Sequence, residues 1–88
     1  MNEFRLQIYT REKMAYDGPV VSIVVPGAMG HLGVQANHAP LVALLGAGRL
    51  WLRKKDNAEQ TFHVSGGFLE VRDNAATLLV DRLENSAD

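Results

Sequence analysis

Turn-forming residues recur every eight to twelve positions along this chain, and the stretches between them are short and alternating. Phe4, Leu6 and Ile8 alternate with Arg5, Gln7 and Tyr9; Leu50 and Leu52 flank Trp51; Phe62 and Val64 flank His63. A period of two puts apolar side chains on one face of an extended strand. Residues 20–25 are almost wholly β-branched and read as one strand buried on both faces, or nearly so. Residues 13–16, 68–72 and 76–80 supply further short strands. Residues 41–45 fit helix or strand, and the bracketing Pro40 and Gly46 favour strand. Turns are expected at Asp17-Gly18-Pro19, at Gly46-Ala47-Gly48, around Asp56-Asn57, at Gly66-Gly67 and at Asp73-Asn74. Residues 81–88 show no periodic apolar face and are expected to fray. Eight or more strands and no convincing helix predict an all-β fold, an antiparallel sandwich or small barrel.

Composition narrows the function more than the fold. With 88 residues the chain makes one domain, residues 1–88, with a modest core. Nine basic residues against ten acidic ones give a formal net charge of −1, which argues against nucleic acid. The one basic cluster, Arg53-Lys54-Lys55, runs straight into Asp56 and reads as a solvated hairpin end. No cysteine is present, so neither a disulfide framework nor a thiolate metal site is available. The N-terminus lacks the basic start and apolar run of a secretory signal, and no apolar run is long enough to span a bilayer.

The densest stretch is residues 26–41, which holds two of the three prolines, three of the eight glycines and two of the three histidines. Ordering so many residues chosen for backbone shape is costly, which points to a docking loop. It contains no carboxylate, hydroxyl or thiol with which to do chemistry. Gly27, Gly30 and Gly33 follow GxxGxxG rather than GxGxxG, with no helix start after them, so turn geometry explains them better than a phosphate. His31, His38 and His63 are spaced too widely for a familiar zinc pattern. His63 falls on a polar strand face, and His38 is expected to bond its ring to loop backbone and pin the turn. Ser22, Ser65 and Ser86 sit in no nucleophile elbow, and Glu70 and Asp81 read as solvent-facing charges. No metal, cofactor or enzymatic activity is expected. Tyr9, Tyr16, Met29 and Trp51 are expected opposite the core or at loop tips, some of them free for a protein partner.

Several of these segments carry a resemblance. Val25-Pro26-Gly27, Gly30-His31-Leu32-Gly33-Val34, His38-Ala39-Pro40-Leu41 and Val64-Ser65-Gly66-Gly67-Phe68-Leu69-Glu70-Val71 resemble the epsilon subunit of F-type ATP synthase, called delta in mitochondria. The match runs from about Phe4 to Val80. It implies a flattened antiparallel sandwich of about ten strands in two sheets. It also implies a non-catalytic place in the rotor, gripping the gamma subunit and resting on the ring of c subunits, with no cofactor and no small-molecule substrate. The implied location is peripheral, at the cytoplasmic face of a bacterial inner membrane. Gly30, His31, Leu32, Gly33, His38, Ala39, Pro40 and Leu41 match the family's rotor-contacting loop. His31 stands where many members carry an acidic residue facing the ring, and Asn37 replaces a common glycine. The sequence stops at Asp88, where longer members begin a two-helix C-terminal domain, so that hairpin is expected to be absent from a natural short form. The alternative is a stand-alone sandwich that presents Trp51 and tyrosines to a peptide or carbohydrate.

Overall fold

The computed structural model describes residues 2–85, and ten strands account for most of them. In chain order these are β1 Phe4–Tyr9, β2 Met14–Val20, β3 Ser22–Gly27, β4 Gly30–Gln35, β5 Leu41–Leu44, β6 Gly48–Arg53, β7 Glu59–Ser65, β8 Phe68–Arg72, β9 Ala75–Leu79 and β10 Arg82–Asn85. They form two five-stranded sheets, one ordered β2-β1-β9-β8-β5 and the other β10-β7-β6-β3-β4. We call these sheets A and B. Of the sandwich and the small barrel that the alternation allows, the sandwich is the fold observed, with the ten strands in two sheets that the resemblance implies. One ladder, β1 with β9, is parallel; the other strand ladders are antiparallel.

The core lies where the two inner faces meet. Sheet A contributes Leu6, Ile8, Leu69, Val71, Ala76 and Leu78, and sheet B contributes Ile23, Val25, Val34, Leu50, Leu52, Phe62 and Val64. Register carries the alternation across strands. Ala43, Leu69, Leu78, Ile8 and Tyr16 form one inward row through four ladders of sheet A. Tyr16, expected outside, is instead partly buried and meets Phe62 edge-on, with centroids 6.5 Å apart.

Four local expectations are corrected. Asp17-Gly18-Pro19 is no turn: it lies inside β2, where Pro19 pairs with Arg5. β2 is an edge strand, so the missing N–H of proline breaks no ladder. The true crossing between sheets falls within the β-branched run, at Val21, whose N–H donates to Arg53 O at 2.8 Å. Residues 26–41 are not one loop, because Pro26 and Gly27 continue β3 and residues 30–35 pair back on it as β4. Finally, residues 82–85 do not fray but pair with β7 as β10, with Leu83 packed against the core. The rest of that expected tail, residues 86–88 including Ser86, lies outside the described residues.

Candidate docking surface

β4 and β5 are consecutive edge strands of opposite sheets, so together they form one flank of the sandwich. Residues 26–46 build this flank. Backbone bonds stitch the sheets together at its upper end, Ala28 N–H to Leu44 O at 2.9 Å and Gly46 N–H to Pro26 O at 2.8 Å, while Leu45 N–H to Gly67 O at 2.9 Å extends the β5–β8 pairing within sheet A. Gly67 lets the chain entering β8 pass close to the end of β9. Its φ is +109°, and a side chain there would run into the Leu79 carbonyl.

The predicted contact residues divide between the two ends of the flank. At the hairpin tip, Gly30, His31 and Leu32 share a shallow apolar groove of about 360 Å³ with Ala28, Met29, Ala43 and Leu44. Gly33 follows on the exposed β4 edge, opposite Val24. His38, Ala39 and Pro40 lie at the other end, in the connection that carries the chain from β4 to β5, and Leu41 opens β5. A strand rises about 3.3 Å per residue, so β4 alone separates His31 from Gln35 by about 13 Å. The two histidines therefore belong to different patches.

The loop end is held by short-range bonds. His38 is half-buried, and its Nδ1–H donates to Ala39 O at 2.7 Å, the ring-to-backbone contact expected of it. Its own N–H donates to Gln35 O at 3.3 Å. Asn37 adopts φ 63°, the left-handed conformation that asparagine tolerates better than most residues. Among the described residues no group of three His, Cys, Asp or Glu side chains is placed to hold a metal ion.

A second surface contains Tyr9, expected opposite the core, together with residues the sequence did not single out. Leu44 pairs with Phe68, Phe68 with Leu79, Leu79 with Tyr9, and Tyr9 with Met14. All five point outward from sheet A. Leu44 is 71% exposed, Met14 44%, Leu79 42% and Phe68 41%. Strands lie about 4.8 Å apart, so the row crosses the whole sheet, about 19 Å. At one end Leu44 joins it to the groove beneath the fully exposed Met29. The next outward row, Val42, Glu70, Thr77, Gln7 and Asp17, is mostly polar, which confines the apolar band to one end of the sheet. Trp51 is on the opposite side of the molecule, outward from sheet B, with its indole N–H donating to Glu59 at 2.8 Å. The aromatic residues thus do not converge on one platform.

Two apposed five-stranded sheets with an exposed apolar band on one outer face define the class: a β-sandwich domain. Over residues 3–86 the chain matches the family model described as ATP synthase, Delta/Epsilon chain, beta-sandwich domain, and it belongs to that family. It is 42% identical over 80 residues to the ATP synthase epsilon chain of Leptospira interrogans, an alignment covering 91% of this chain and 62% of that one. With the ATP synthase epsilon chain of Chlorobium limicola it shares 40% identity over 78 residues, 89% of each chain. The chain thus spans about 62% of the Leptospira relative and nearly all of the Chlorobium one. Among solved structures, a chain of the Euglena gracilis mitochondrial ATP synthase has the same fold, with TM-score 0.89 and 22% identity over 94% of this chain and 53% of that one. A chain of the Tetrahymena thermophila mitochondrial ATP synthase central stalk and c-ring gives 0.79 and 21% over 96% and 67%.

Proposed function

We propose that the chain is a non-catalytic rotor subunit of a proton-translocating ATP synthase, coupling proton flow to ATP synthesis by seating on the gamma subunit and the c-ring. One observation supports this above the rest: an apolar row across sheet A, reaching Met14 through a register shift between β1 and β2, runs at its other end into the hairpin-tip groove, so two neighbouring contact surfaces share Leu44. Exposed apolar area this continuous is uncommon on a free-standing domain and typical of a covered one. On this reading the band takes gamma, and the β3–β4 tip with His31 faces the polar loops of the ring. The connection at His38, Ala39 and Pro40 fixes the approach of the flank to both. A sandwich deforms little, so torque meets a stiff body, and a preset surface loses little further entropy on binding. The domain then sits at the membrane through its partners, at the cytoplasmic face in a bacterium. Among the described residues no helix is long and apolar enough to cross a bilayer.

Co-purification with gamma and the c-ring, followed by proton pumping in reconstituted vesicles, tests the proposal. His38→Ala and Pro40→Gly should each weaken assembly and lower coupling, while hydrolysis by the isolated catalytic hexamer is untouched. Normal pumping by complexes carrying either change removes the loop from the mechanism. Failure of the unaltered chain to retain gamma, together with capture of an immobilised glycan or peptide, favours the free-standing module.

A further inference from the structure

Asn74 occupies the second position of the two-residue turn joining β8 to β9, between Arg72 and Ala75. Both turn residues have positive φ, 52° at Asp73 and 59° at Asn74. Glycine is the commonest residue at the second position of such a turn because it meets no steric penalty there. The turn alone therefore gives no reason to carry a side chain at 74. Its contacts do. Asn74 Oδ1 accepts the N–H of Asn37 at 2.7 Å, and Asn74 Nδ2 donates to Glu3 O at 3.0 Å. The Asn74 carbonyl also accepts the N–H of Arg5 at 3.3 Å.

These bonds join three segments far apart in sequence: the start of β1, the β8–β9 turn and the β4–β5 connection. For the connection the bond is singular. Pro40 has no N–H, and the other loop bonds, His38 N–H to Gln35 O and His38 Nδ1–H to Ala39 O, stay within the connection and its own strand. Among the described residues, Asn74 is the one side chain bonded from another element to residues 36–40.

We infer that Asn74 is a positioning residue that latches the His38-Ala39-Pro40 connection in its docking shape. The inference rests on the proposal that this connection contacts the rotor, and it names the group that presets it. A loop held before its partner arrives has less entropy to lose on binding. Freed of the latch, the five-residue connection keeps its internal bonds and the packing of Ala36 against the core, with no side-chain bond from another element.

Two variants separate the latch from general stability. Asn74→Gly suits the left-handed turn and removes both side-chain bonds. Asn74→Asp keeps an oxygen for the Asn37 N–H but loses the donor to Glu3, so it shares the loss at the N-terminus and keeps the loop bond. Amide hydrogen exchange at Asn37 is followed in the full chain, with thermal midpoint and affinity for purified gamma–c-ring subcomplex measured in parallel. Asn74→Gly should speed Asn37 exchange roughly fivefold, the factor expected for one lost hydrogen bond, and weaken affinity by a similar factor. Asn74→Asp should leave both near the unaltered values even though its midpoint falls. Unchanged Asn37 exchange in Asn74→Gly, or equally fast exchange in both variants, overturns the latch. Faster exchange with unaltered affinity upholds the latch and instead overturns the docking role of the loop.

Discussion

Arg5 and Asp17 are diagonal neighbours on the outer face of sheet A, joined by two parallel bonds of 2.9 Å, Nε to Oδ1 and one terminal nitrogen to Oδ2. The hydrogen bond from Arg5 holds the Asp17 carboxyl below its usual value of 3.8, and the charge of Arg5 and a bond from Gln7 act the same way. A carboxylate with a depressed folded-state pKa stabilises the fold in full above its unfolded value. That contribution fades as pH falls through the lower folded value. Asp17→Asn should therefore be less stable than the unaltered chain at neutral pH. The gap should close once pH has dropped below the unperturbed carboxylate range, and shrink with added salt because the pair is exposed. Urea midpoints for both proteins from pH 7 to pH 2 check this; a gap independent of pH would assign the loss to packing. At this scale much was legible beforehand. Gly66-Gly67 reads as a bend from composition, and the structure adds the reason, the Leu79 carbonyl where a side chain would stand. Asn74 reads only as a turn former, because its partners Glu3 and Asn37 lie 71 and 37 residues away.

Elements were legible wherever one face is buried. Leu50-Trp51-Leu52 and Phe62-His63-Val64 announce their strands because the core enforces the alternation. β10 hides because Arg82-Leu83-Glu84-Asn85 has a single apolar residue and so no period to detect; the open edge of β7 makes it a strand. β4 hides for a related reason, its glycines masking an edge strand whose form is set by pairing with β3. Of the apolar row only Tyr9 was legible as an outward residue. Leu44, Phe68, Leu79, Tyr9 and Met14 become neighbours only through four ladders, one of them the parallel β1–β9 pairing. That row supplies the test proper to elements. Phe68→Ser alters a side chain that is 41% exposed, so domain stability should fall by only about 1–2 kcal/mol. Affinity for gamma should drop tenfold or more, as truncation of a central aromatic commonly does in an interface. Calorimetric titration beside a urea melt reads both, and equal binding by the two proteins would move gamma to another face.

For the molecule as a whole, 88 residues divide between a core that serves the fold and outward apolar groups that do not. A domain this small hides roughly 60–65% of its unfolded surface, leaving a slim stability margin. Met29, Val42 and Leu44 remain largely exposed and contribute little to that margin in the isolated chain. A partner covering them binds the folded form alone and stabilises it by mass action. At a free partner concentration 100 times the dissociation constant the gain is about 2.7 kcal/mol. In a domain of this length 1 kcal/mol moves the melting midpoint by about 4–8 °C, so saturating gamma should raise it by roughly 10–20 °C. The same titration with Phe68→Ser should need correspondingly more gamma to reach that shift, which ties the gain to the apolar band rather than to crowding. Scanning calorimetry at rising gamma concentration, followed through the domain's own transition, makes the measurement. A midpoint that stays fixed at saturation would mean that gamma binds the unfolded chain equally well or does not bind at all. Either result would leave the band across sheet A without its proposed occupant.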